Sequence, residues 1–197
     1  MASADLEHDH EHDHEHDDGD EELDAQVEAR RRVALAQIRQ YPDAVLRMRA
    51  NEVDRFDENL ARLAGRMTEL MHDARGVGLA ATQVGVLQRL FVFQPHVDDE
   101  ATTVVNPEIV VRSGELEIAD EGCLSLQGVH VPVERDIAVT LQGLDLEGNQ
   151  LRLELEELSA RVAQHELDHL DGLLIIERTN PESRREALAT LRRPPSL

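Results

Sequence analysis

Apolar and polar positions alternate along this chain with two distinct periods. Over residues 57–74, Leu60, Leu63, Ala64, Met67, Leu70 and Met71 recur at i, i+3, i+4 and i+7. That is the spacing of one buried stripe on a helix. Residues 25–40 predict an earlier helix, with Val27, Val33, Ala34 and Ile38 on its apolar side and Arg30 to Arg32 solvated. Tyr41-Pro42-Asp43 stops it, because proline cannot continue a helix and restricts the residue before it. A third helix is predicted over 157–171, closed by Gly172 as its C-cap. Leu158, Val162, His165 and His169 share one face of it, so two histidines continue an apolar stripe. Such a helix belongs in the middle of the molecule, histidines inward. Asn180-Pro181 opens a last helix, with proline in its first turn.

Between these helices the period shortens to two. Residues 89–94, 103–105 and 108–118 read as strands around turns at Asn106-Pro107 and Ser113-Gly114. Residues 128–134 are extended and broken by Pro132. Residues 137–144 and 151–155 alternate on either side of a turn at Leu146 to Asn149, which predicts a hairpin. Residues 44–56 read as an irregular connection and 96–102 as a polar loop. The pattern predicts an α+β fold: antiparallel strands packed around a central helix, with N-terminal helices and a C-terminal helix outside.

Residues 76–85, Gly-Val-Gly-Leu-Ala-Ala-Thr-Gln-Val-Gly, carry neither period. The segment follows a helix rather than a strand and lacks both the third glycine of a dinucleotide fingerprint and a Gly-Lys-Ser/Thr, so neither phosphate-binding fingerprint is met. What remains is a backbone that can be approached closely, with Gln83 able to donate a hydrogen bond.

Composition narrows the class. Hydrophobic residues make up 41% of 197, and no apolar run is long enough to cross a bilayer. The acidic start is unlike a secretory leader. One cysteine excludes an internal disulfide. The formal net charge is −21, of which twelve negative charges fall in residues 1–24, leaving −9 for residues 25–197. A body this acidic argues against direct nucleic-acid binding, and a cytoplasmic location is expected. All 20 basic residues are arginine. Residues 1–24 alternate acid with histidine from Glu7 to His14, and form an expected disordered, solubilising tail; weak capture of divalent metal is the sharper alternative. A single catalytic domain is expected over residues 25–197.

The candidate chemistry lies in Gln164-His-Glu-Leu-Asp-His-Leu170. His165 and His169 stand one helical turn apart and can reach one metal ion, with Glu166 beside it to handle protons. Two histidines leave such a site short of a ligand. Cys123, in Glu121-Gly-Cys-Leu-Ser125, is the best candidate, and a Cys/His/His set leaves one tetrahedral corner open for water. Taken alone, each signal has a bland alternative: Cys123 as a small buried hydrophobe, and the His-Glu-x-x-His pattern as coincidence on a helix. Two rival functions stay open on these residues, a metallopeptidase cutting internal bonds and a metal-buffering protein without catalysis.

Taken together, residues 76–83, 121–125 and 164–170 resemble the three signature motifs of the peptide deformylase family, in its order and at about its spacing. The resemblance covers most of residues 33–192. It implies an enzyme that removes the N-formyl group from the initiator methionine of nascent chains, releasing formate. It implies Cys123, His165 and His169 as metal ligands, Glu166 as general acid/base, and Gln83 with the backbone N–H of Leu124 as oxyanion donors. Val77, Gly78 and Leu79 would pair with the peptide as an added strand, and Val77, Leu124, Leu158 and Val162 would wall the methionine slot. The metal it implies is usually Fe(II), with Zn, Ni or Co able to occupy the site; a thiolate on Fe(II) implies oxygen sensitivity. Family members can dock on ribosomes through a basic C-terminal helix, and Arg184, Arg185, Arg192 and Arg193 permit that here. The chain departs from the family at Gln127, where proline is common. Arg161 beside the slot is expected to line it with its stem and keep its head in water.

Overall fold

The computed structural model describes residues 17–192. The expected histidine-acid tail lies largely outside the described residues. Helix α1 (Asp17–Gln37) starts earlier than the apolar pattern predicts and ends earlier. The residues at its start are acidic in sequence and carry no apolar stripe. Ala34 and Ile38 are buried as expected, whereas Val33 is exposed. Helix α2 (Glu58–Asp73) is capped by Asp57, whose side chain accepts from the N–H groups of Asn59 and Leu60. Leu60, Ala64, Met67, Leu70 and Met71 bury the anticipated stripe.

Seven strands follow: β1 (Gly78–Ala80), β2 (Leu90–Phe93), β3 (Thr102–Arg112), β4 (Leu116–Gly122), β5 (His130–Asp136), β6 (Ala138–Leu144) and β7 (Gln150–Glu156). A five-stranded sheet runs β1-β2-β3-β6-β7, and β4 pairs with β5 in a second sheet; every pairing is antiparallel. The hairpin β6–β7 is the one the alternation predicts. Asn106-Pro107 does not end a strand. It forms an irregularity inside β3, where the register to β6 shifts between Val105 and Glu108. The Asn106 amide accepts from Val53 N–H and donates to Val53 C=O, which stabilises the detour. Pro132 likewise lies inside β5, an edge strand, where a missing ladder donor is tolerated.

Helix α3 (Glu157–Leu170) follows β7 directly, and short α4 (Ile175–Arg178) and terminal α5 (Pro181–Leu191) close the order. On α3, Ala160, Val162, Ala163, Gln164, Glu166, Asp168, His169 and Leu170 are all buried. A helix buried nearly all round is enclosed by the fold, as the inward histidines predict. It lies against β1, β2, β5, β6 and β7. Gln164 anchors it to β5, donating to the C=O of Asp136 and accepting from its N–H. Antiparallel sheets around a central helix make this the expected α+β architecture.

Candidate metal centre and substrate cleft

Three separate segments converge on the buried face of α3. The turn after β4 brings Cys123 to the helix, with Sγ 3.2 Å from Nε2 of His169. One donor atom each from Cys123, His165 and His169 lies within 4.8 Å of the others. Donors around a tetrahedral cation at about 2.0–2.3 Å stand roughly 3.3–3.8 Å apart, so these side chains fit one shared ion. The donor set agrees: a thiolate and two imidazoles suit Zn, Fe, Ni or Co, and not Mg or Ca.

Glu121, the next-to-last residue of β4, sets the orientation of His165. Its Oε2 lies 3.0 Å from Nδ1 of His165 and leaves Nε2 for the thiolate side. The same carboxylate accepts two bonds from Arg135, Nε and Nη2 both at 2.9 Å, and a third from Arg161. Burial alone would raise the Glu121 carboxyl, but the bonds from His165 and Arg135 outweigh it and hold it down to about 2. Burial also works against a charged His165, yet its bonds to Cys123 and Glu121 raise it well above the ordinary imidazole range. His169 is depressed by burial and by the neighbouring charges of His165 and Arg135. Glu166 is buried on the same helix, and Oε2 has no partner among the described residues. Burial pushes its carboxyl up to about 7, with the charge of His165 opposing and that of Glu121 assisting.

Gln83 sits in the turn after β1. Its Oε1 accepts from Ala80 N–H at 2.8 Å, which points Nε2 at Ser125 Oγ, 3.1 Å away, and at Cys123 Sγ, 3.8 Å away. The Leu124 N–H has no protein acceptor among the described residues, while its C=O is held by the Gln40 side chain. A cleft of about 440 Å³ opens over this group, lined by Val77, Gly78, Leu124, Leu158, Val162 and Glu166 among others. β1 is an edge strand, so its second backbone edge has no sheet partner. Leu79 differs from its neighbours: its side chain is fully buried in the core, so only its backbone is available to a ligand. Gln127 lines the cleft rim.

The family model of polypeptide deformylase matches residues 35–185. The chain belongs to the polypeptide deformylase family. The peptide deformylase of Thermotoga maritima is 46% identical over 148 residues, covering 75% of this chain and 89% of that protein. That of Clostridium botulinum is 46% identical over 147 residues, covering 75% of this chain and 98% of that protein. Among solved structures, a peptide deformylase from Legionella pneumophila superposes with a TM-score of 0.74 at 39% identity, over 80% of this chain and 98% of that one. As a deformylase, this enzyme removes the N-formyl group from newly made polypeptides.

Within this deformylase fold Cys123, His165, His169, Glu166 and Gln83 come together at the cleft, backed by side chains whose part no motif indicates. Glu121 lies inside a motif without a role of its own there, and Arg135 lies in none. Both sit in strands that carry several charged residues and look solvated in sequence, yet both are buried. Arg161 is a correction. Its head is not in water: it bonds Glu121, the C=O of Val133 and the C=O of Glu117, and its side chain is 11% exposed. Carboxylate and carbonyl acceptors on β4 and β5 offer the guanidinium a better fit than solvent does.

Proposed function

We propose that deformylation is carried out by Cys123, His165 and His169 holding one divalent ion, with Glu166 as general acid/base and Gln83 and Leu124 as oxyanion donors. The observation that carries this is the convergence of the thiol and two imidazoles beside a buried carboxyl pushed up to about 7. When bound, the ion supplies Lewis-acid activation of water, and Fe(II) is the proposed resident, with Zn, Ni and Co as substitutes. Glu166 takes a proton from the attacking water and returns it to the leaving nitrogen; a carboxyl near neutrality can do both. The Gln83 Nε2–H and Leu124 N–H donate to the oxygen that gains charge, each worth about 2.7–4 kcal/mol if lost.

The free edge of β1 takes the substrate backbone as an added strand, with Val77, Gly78 and Leu79 supplying backbone groups. The methionine side chain lies against Val77, Leu124 and Val162. Residues 25–197 form the catalytic domain and residues 1–24 an acidic solubilising tail. The enzyme acts in the cytoplasm on nascent chains, and Arg184 and Arg185 on α5 offer a contact to the ribosome.

The test is formate release from formyl-Met-Ala after anaerobic Fe(II) loading, with metal analysis alongside. Formyl-Met-Ala should turn over, and acetyl-Met-Ala and free Met-Ala should not. Glu166→Ala should abolish turnover and keep the metal. Full activity in Glu166→Ala, or cleavage of internal peptide bonds, overturns the assignment.

A further inference from the structure

The mouth of the cleft carries two arginines that the reaction does not use. Arg31 and Arg75 both line it, Arg31 from α1 and Arg75 from the end of α2. Arg31 lies ahead of the matched residues 35–185. Its Nε is buried with no hydrogen-bond partner among the described residues. Arg75 stands one residue before Gly76, at φ 57°, in the left-handed region. Its N–H bonds His72 C=O, and Gly76 N–H bonds Met71 C=O, the closure of a helix that usually places glycine here. An arginine here takes on a backbone cost that glycine would avoid.

The geometry gives these residues a place along the substrate. Gly78 packs against Glu166 and so marks the reacting end. From Gly78 back to Gly76 the chain covers about 7 Å at strand spacing. A peptide added to this edge therefore leaves the reacting end past Arg75 and Arg31, with its second or third residue beside them. Arg161 also lines the cleft, but its guanidinium is taken up by Glu121 and two carbonyls. Asp120 lies on the β4 wall. Glu28 stands 2.9 Å from Arg75 and 3.8 Å from Arg31, and partly neutralises them.

We propose that Arg31 and Arg75 form a cationic rim that selects formylated peptides carrying an acidic side chain at the second or third position. The proposal rests on the deformylase reading and names a preference of that same site. Exposed pairs are individually weak, so the rim acts as a bias of about three- to fivefold in kcat/KM, mainly through KM, and fades with salt.

The experiment uses the metal-loaded full chain and C-terminally amidated formyl-Met tripeptides, with Glu, Gln or Lys at position two or three. Activity on the Gln peptides establishes the deformylase reading by itself; its absence fails that reading and not the rim. Given that activity, Glu should exceed Lys at one position at least. Arg31→Gln and Arg75→Gly should each reduce the ratio, and Glu28→Gln should increase it. Arg75→Gly relieves the backbone strain, so its melting temperature should hold or rise while selectivity falls, which separates the rim from a structural role. Ratios near one at both positions, or ratios unmoved by all three substitutions, overturn the proposal.

Discussion

Glu121 Oε2 lies 3.0 Å from His165 Nδ1, while both oxygens of the same carboxylate are held by Arg135. One buried side chain thus fixes the ring that faces Cys123 and neutralises the cation behind it. Removing the charge while keeping the shape tests this. Glu121→Gln should weaken metal binding by about 10- to 100-fold, as loss of a ligand's outer partner does. Competition against a chelator of known affinity measures it, and unchanged affinity would show that the contact does not orient His165.

The same carboxyl makes stability depend on acid. It sits at about 2 in the folded protein against 4.5 for the free group. A depressed folded value means the contribution is fully present above the unfolded value and is lost as pH falls from about 4.5 through 2. Melting temperature should therefore drop steeply across that window, and Glu121→Gln should flatten the slope there. An equal slope in both proteins would assign the acid transition to other carboxylates.

Asp168 continues the buried network from Arg135 to Arg178. The two arginines differ: Arg135 is 5% exposed and Arg178 45%. Asp168→Ala leaves Arg135 paired with Glu121 but its Nη1 unsatisfied in the interior, and should cost about 1–3 kcal/mol. Arg178→Ala loses a partly solvated pair and should cost less than about 1 kcal/mol. Urea unfolding at neutral pH reads both, and similar costs would mean that burial does not separate the two ends.

What the sequence disclosed divides along contact range. The α2 stripe, the β6–β7 alternation and the α3 motif are each written within a single element, where periodicity reports burial directly. The approach of Cys123 to the two histidines was open to expectation because the chain has a single cysteine. The pairing of Glu121 with Arg135, and of both with α3, is different in kind. It depends on β4 and β5 lying across the helix, and a charged residue in an alternating strand carries no mark of whether it faces water. β1 was hidden for a related reason: Gly-Leu-Ala has weak strand preference and becomes a strand only by pairing with β2. The early start of α1 was hidden because a helix of charged residues has no stripe to read.

Gly172 shows how tightly the end of α3 is set. It closes the helix at φ 76°, and an added Cβ would meet the backbone O of Arg47 at 2.7 Å. Both strain and overlap oppose a side chain there, and the overlap is with backbone, which cannot rotate away. Gly172→Ala should destabilise by more than about 1 kcal/mol, measured as a lower urea midpoint with an unchanged slope. A neutral result would mean that the connection from α3 to α4 can shift without cost.

Gly78 is set by the opposite wall of the cleft. Its φ is ordinary, so alanine meets no backbone penalty, but a Cβ would overlap the Glu166 carboxylate and come within 2.9 Å of Val162 Cγ1. The edge of β1 and the Glu166 carboxylate are therefore in van der Waals contact, and only hydrogen fits between them. Gly78→Ala should displace Glu166 by a few tenths of an ångström or more, enough to lower kcat/KM by about tenfold or greater, since small misplacements at a reacting centre are costly. The effect on folding should be smaller, because the β1–β2 ladder is untouched. Formate release and thermal melting on the same metal-loaded sample separate the two. A variant that keeps full turnover would show that Glu166 acts from a position other than the one packed on this glycine.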